Sequence, residues 1–430
     1  MKQRLSRRQF VARSAFATGG LMTVAAFPAA GKIAVGEKLN VGVIGVAHRG
    51  GSNLQGVSGE NVVALCDVDQ GYLQAALEKH KGARTYRDFR ELLEHPDLDA
   101  VVVSTPDHTH AVATVTAMNK GYHVYVEKPL TRTVSECRRV METARRMKRV
   151  TQIGTQIHAE NNYRRVVELI QAGVIGAVKE VHVWVNVTYG GKDLPADRPP
   201  VPANLDYELW LGPVAGHFYH PAWIPAAWRN WWAFGGGGLG DFGCHYMDLP
   251  FWALGLQTPL TVEVLDGPAV HPHSVPPQLV VRYEFPARGA QPPVALTWYH
   301  GGKHPQLVEG ALYQQWKSGV LFVGSEGMVI SNYGQHALLP EAKFANFTRP
   351  PQTIPQSLGH HKEWIAAIKT GGKPLCNFDY SGPLTETVLL GNAAFRVGKK
   401  LIWDSARLQA TNCPEANAVL QHQYRKGWTL

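Results

Sequence analysis

In "GGGGLGDFGCHYMDL", residues 235 to 249, Asp241 and His245 stand four apart. On a helix that spacing puts a carboxylate and an imidazole on one face. An imidazole with an ordinary pKa of about 6.5 can take a proton from an alcohol near neutral pH, and the carboxylate can orient the ring or bond a substrate hydroxyl. The four preceding glycines predict a chain that passes close to a bound ring and then starts a helix near Asp241, whose dipole favours an anion. Lys128, in "YVEKPL", follows an apolar β-rich run together with Glu127. At the carboxyl end of a parallel strand its ammonium can hold a reacting oxygen and stabilise charge on it. An imidazole base and an oxygen-binding ammonium suit removal of a hydroxyl proton while hydride leaves the same carbon.

Hydride needs an acceptor, and the chain offers a place for one. "IGVAHRGG" fits G-x-G-x-x-G at Gly45 and Gly50, with Ala47 at the middle glycine and His48 and Arg49 filling the loop. A strand-like run precedes it, a helical stretch follows, and Asp67 ends the next apolar run about 20 residues on, where an acid bonds the adenosine ribose. Asp67 would repel a 2′-phosphate, so NAD is favoured over NADP, with Arg49 as the contrary signal. Another strand end, "STPDHTH", brings Thr105, Pro106 and His110 to the same side.

The elements that must hold these residues are legible in the periodicity. "LNVGVIG", "NVVALCD", "DAVVVSTP", "HVYVEKP" and "TQIGT" alternate with helical stretches, which predicts a doubly wound, Rossmann-type parallel sheet over residues 37–155. Residues 156–405 read as an α+β domain: successive strand-like segments without intervening helices predict a large, mainly antiparallel open sheet. Two helices close it, and residues 406–430 read as a mostly polar tail.

In this order "IGVAHRG", "TPDHTHA", "EKPL" and "GDFGCH" resemble the Gfo/Idh/MocA oxidoreductases, from about residue 38 to 405. The resemblance implies a nucleotide domain followed by an α/β domain with an open sheet. It places the family's catalytic lysine on Lys128, its Asp-x-x-x-His pair on Asp241 and His245, and a residue near the nicotinamide on Glu127. It also implies a homo-oligomer joined through the open sheet. The tryptophan-rich stretch "WRNWWAFGGGGLGDFGCH" resembles an exported subtype found in polysaccharide-degrading bacteria. Sugar rings lie well against aromatic faces, so Trp228 and Trp232 are candidate substrate contacts; Arg229 could meet either sugar or cofactor. Tyr163 and Arg164, entering the second domain, are candidates for the same cleft, as is His158. His360 and His361 open a helix and read as caps or surface. The histidines lack metal-site spacing, so no metal is expected.

Composition narrows the partners. Of the net charge of +9, six units come from Lys2, Arg4, Arg7, Arg8, Arg13 and Lys32 within residues 1–32, which hold no acid. The remaining surface is unremarkable, and no nucleic-acid partner is expected. Residues 1–32 read as an export signal: "SRRQF" resembles the twin-arginine motif, ahead of a stretch too short and too rich in Gly and Ala to hold a bilayer well. A periplasmic or secreted protein is expected, with the signal either removed or kept as an anchor. Five scattered cysteines without C-x-x-C give no disulfide framework. The leading functional reading is an exported NAD-dependent oxidoreductase acting on a secondary hydroxyl of a carbohydrate. A compartment without free nicotinamide requires the cofactor to be recycled, so the alternative is a glycoside hydrolase working by transient C3 oxidation and elimination. A noncatalytic carbohydrate-binding protein is the third reading.

Overall fold

The computed structural model describes residues 36–430; the twin-arginine-like segment lies outside them. The first sheet has strands β1 (Asn40–Ile44), β2 (Asn61–Cys66), β3 (Arg84–Tyr86), β4 (Ala100–Val103), β5 (His123–Val126) and β6 (Thr151–Ile153). All pairs are parallel in the order β3-β2-β1-β4-β5-β6. Runs such as "AVVV" in β4 are wholly buried because helices cover both faces. The chain winds from β1 through β2 to one edge and then crosses back to β4 on the other side of β1, so a crevice opens at the carboxyl ends of β1 and β4. β3 was not anticipated: three largely exposed residues at the sheet edge carry no apolar signal.

Helices α1 (Arg49–Gly56), α2 (Gln70–Lys79), α3 (Asp107–Asn119) and α4 (Val134–Met147) make four of the five crossovers, and a single helical turn at Phe89–Leu92 lies in the fifth, between β3 and β4. A capping box starts α4, the Thr133 side chain accepting from Glu136 N and the Glu136 side chain from Thr133 N. α5 (Asn161–Gln171) then leads into β7 (Val178–Val185) and the second sheet.

That sheet adds β8 (Thr261–Asp266), β9 (Leu279–Phe285), β10 (Val294–His300), β11 (Gly319–Gly324), β12 (Met328–Ser331), β13 (His336–Leu339), β14 (Leu401–Asp404) and β15 (Gln409–Ala410). The nine strands run β13-β12-β11-β7-β10-β9-β8-β14-β15. Only β7 and β10 pair in parallel, so the sheet is mainly antiparallel, as expected. Its helices are α6 (Gly237–Tyr246), α7 (Asp248–Leu254), α8 (His360–Thr370) and α9 (Phe378–Val397).

The two halves interlock. Trp364, Ile365 and Ile368 of α8 pack in one cluster with Leu39, Val41 and Val43 beneath the first sheet. His361 stacks on Tyr125 of β5 at 4.8 Å, and His360 is buried with its Nε2 2.8 Å from the Ile153 carbonyl. These two histidines are therefore cement between halves, where a cap or surface position was expected. The C-terminal segment also departs from a polar tail: Cys413 and Leu420 are buried, and the Tyr424 hydroxyl donates to Glu136.

Candidate active site

A cavity of about 830 Å³ runs from the β1/β4 crevice to α6. At one end the chain forms a nucleotide cradle. Gly45 has φ +82°, and a Cβ at Gly50 would lie 2.1 Å from the Gly45 carbonyl oxygen, so both positions require glycine. Ala47, His48 and Arg49 line the cavity at the start of α1, where unbonded backbone N–H groups suit a pyrophosphate. Asp67 accepts from Val46 N at 3.0 Å and from Asp69 N at 3.0 Å, which leaves lone pairs for ribose hydroxyls. Burial raises its pKa, partly offset by those backbone bonds. Arg49 turns away from Asp67: its Nη2 donates to Gln156 at 2.9 Å and its Nε lies 3.7 Å from Glu127. The contrary signal for NADP thus points to the other end of the cleft, and these residues fit NAD.

Thr105 and Pro106 line the cavity, whereas the buried His110 stands behind it. Its ring nitrogens lie 2.8 Å from the Pro129 carbonyl and 2.7 Å from the Thr105 carbonyl, tying the ends of β4 and β5 together. Glu127 lines the cavity and accepts from Asn53 and Gln156 at 2.9 and 2.7 Å.

At the second-domain end, Lys128 Nζ donates to Asp241 Oδ1 at 2.5 Å and to its backbone oxygen at 2.7 Å. Arg229 Nε lies 3.0 Å from the same carboxylate, and the Tyr189 hydroxyl donates to Oδ2 at 2.9 Å. Burial alone would raise the Asp241 pKa, but Lys128 and Arg229 outweigh it and hold the carboxyl well below its ordinary range. Burial first, then Lys128, pushes His245 well below its usual value. His245 is therefore neutral at pH 7, and its Nδ1 has no hydrogen-bond partner among the described residues. Asp107 also lines this end; burial pushes it up to about 8, against the pull of Arg229 and Lys128.

Several expectations are corrected here. Asp241 and His245 share a face, but α6 begins at Gly237, so they occupy its middle and last turn and no helix N-terminus serves the anion. The glycines do not approach the cleft. A Cβ at Gly235 would meet the Trp228 ring at 2.9 Å, and one at Gly238 the His300 ring at 2.8 Å; the run lets α6 pack against protein. Tyr163 is wholly buried, its hydroxyl 3.4 Å from the His245 carbonyl oxygen. Arg164 is buried in an ion pair with Glu363 at 2.7 Å. Trp232 lies outside the cleft, with Arg396 over its ring. Trp228 and Arg229 do line it. His158 is buried behind the cleft, Nδ1 3.0 Å from both oxygens of Asp248, with Cys376 adjoining.

Sequence reasoning missed Tyr189 and the adenosine-end cover. Tyr189 follows β7 in a loop without local motif, and only the fold brings it to Asp241. Over the adenosine end, Gln70 N donates to Asn204 O and Asp206 N to Val68 O, each at 2.9 Å, while Asn204 Nδ2 donates to Asp69. Trp428 closes the same wall, 6.0 Å from Phe89 with Arg90 over its ring.

Residues 39–155 match the family model described as "Oxidoreductase family, NAD-binding Rossmann fold", and residues 161–430 match "Oxidoreductase family, C-terminal alpha/beta domain". The chain belongs to the Gfo/Idh/MocA oxidoreductase family. It is 35% identical over 150 residues to an inositol 2-dehydrogenase of Salmonella paratyphi B, covering 34% of this chain and 45% of that one. It is 31% identical over 201 residues to an alpha-N-acetylgalactosaminidase of Shewanella oneidensis, covering 40% and 44%. The chain thus spans less than half the length of these curated relatives. A WlbA dehydrogenase from Chromobacterium violaceum, solved with NADH and UDP-GlcNAcA, shares the fold with a TM-score of 0.61 at 18% identity, over 86% of this chain and 97% of that one.

Proposed function

We propose that this Gfo/Idh/MocA protein is an exported oxidoreductase that acts on a secondary hydroxyl of a sugar or sugar derivative and keeps its NAD through successive turnovers. The observation that carries this reading is the convergence of a paired Lys128 and a neutral His245 on one cavity with the nucleotide cradle. Bound NAD supplies the hydride acceptor. Lys128, aimed by Asp241, bonds the substrate oxygen; His245 takes the hydroxyl proton; Arg229 and Trp228 offer a donor and an apolar face to the ring. Retention is supported by the 204–206 strap and Trp428, which cover the adenosine end from the second domain.

A retained cofactor favours a second, redox-neutral outcome, in line with the glycosidase relative. Transient oxidation at C3 makes the C2 proton acidic, the anomeric substituent leaves by elimination, water adds, and the hydride returns. Native mass spectrometry of the purified protein followed by a screen of sugars and glycosides decides: NADH in proportion to product selects the dehydrogenase, and free aglycone without net NADH selects the hydrolase. In either case Lys128→Ala should lower turnover by roughly 10²-fold or more with folding intact. A protein that neither contains nor takes up the dinucleotide overturns both.

Export rests on "SRRQF". Arg7→Lys with Arg8→Lys should leave the protein in the cytoplasmic fraction, and unchanged export would refute a twin-arginine route. Among the described residues no helix is long and apolar enough to cross a membrane.

A further inference from the structure

A second, smaller cavity of about 40 Å³ lies between the start of α4, the turn at Gly235 and Gly236, α9 and the C-terminal segment. None of its lining residues lines the main cleft. Two of them are arginines. Arg132 spends one nitrogen on the Trp232 carbonyl, Nη1 donating at 2.9 Å. Its Nε and Nη2 are sealed from solvent and have no partner among the described residues. Glu136, the acid whose charge acts most strongly on Arg132, is committed elsewhere, its carboxylate accepting from Thr133 N and from the Tyr424 hydroxyl. Arg396 lies with its guanidinium over the Trp232 ring, 5.3 Å from the centroid, and forms no ion pair with a described residue. Each arginine is less basic than usual, chiefly through burial, and Arg132 adds its repulsion to Arg396.

Two guanidinium groups that share a polar cavity without a carboxylate are costly, because each is desolvated and each repels the other. A bound anion removes both penalties, and the fork of N–H donors suits oxygens held in one plane or tetrahedron. Thr133, Asn392 and Gln421 complete a polar wall. We propose that this cavity is a binding site for a small oxyanion, a phosphate, sulfate or carboxylate group of a few heavy atoms. It is seated behind the turn that delivers the catalytic helix α6. The site stands independently of the redox reading.

Inorganic phosphate is the probe. With saturating NAD present to fill the nucleotide cradle, and ionic strength held constant with sodium chloride, phosphate should raise the wild-type Tm saturably by a few degrees. Arg396→Gln, on a half-buried side chain, should fold and bind phosphate at least about tenfold more weakly. Arg132→Gln should do the same wherever it folds. A wild-type Tm that rises no more with phosphate than with chloride overturns the site, as does an equal rise in Arg396→Gln.

Discussion

Asp241 works through its neighbours. Two donors, from Lys128 and Tyr189, and the paired guanidinium of Arg229 converge on its side chain, and together they hold the carboxylate ionised and the lysine side chain in the cleft. Tyr189→Phe removes one bond to a charged acceptor, a loss of about 1.5–3 kcal/mol at most. Turnover should therefore drop by roughly 10- to 100-fold in protein that is still folded at the assay temperature, with a lowered Tm; an unchanged kcat would show that the phenol does not position the acid. That Lys128, Asp241 and His245 share one cavity was legible because each stands in a short motif whose offsets carry meaning; Arg229, which lines it too, was open between sugar and cofactor on residue type. Tyr163 and Arg164 were misplaced for the opposite reason. Only residue type points them to the cleft, and α5 turns that face into the core.

Among the elements, the parallel strands and most crossovers were legible from periodicity, and the phosphate turn from its glycines. The glycines before α6 were legible as an anomaly, but their purpose was not, since it depends on Trp228, Val275, His300 and α9 packing from elsewhere in the chain. Gly238→Ala tests the packing account. Its Cβ would meet the His300 ring at 2.8 Å, so α6 or β10 must shift, at a cost of about 1–3 kcal/mol. Both Tm and kcat should fall, because the displaced helix carries Asp241 and His245. A variant that loses neither would show that the run is there for some other reason.

For the whole molecule, buried histidines set the acid limit. Burial pushes His108, His360 and His422 down to about 3, and His110, His300 and His361 down to about 4. In the unfolded chain they would take up protons near pH 6.5, so below that pH the unfolded state binds more protons and stability falls until the folded values are reached. Asp107, pushed up to about 8, has the opposite sign between pH 8 and its ordinary value near 4, as does Asp67, but the lowered histidines, His336 at about 4 among them, outnumber these two. The urea midpoint should therefore decline steadily from pH 6.5 to 4; a flat profile would mean that the histidines are solvated. None of this was readable from the chain, because a histidine's burial follows from how the halves interlock.

The wall around the adenosine end has an implication for biosynthesis. Its floor comes from the first sheet, its flank from residues 204–206, and its last panel from Trp428, which leaves the ribosome after both sheets have been translated. A nascent N-terminal half therefore offers an open gutter from which a dinucleotide can escape. If the proposed retention of NAD holds, durable loading waits until Trp428 has docked against Phe89 and Arg90, so closing this wall and capturing the cofactor are one event.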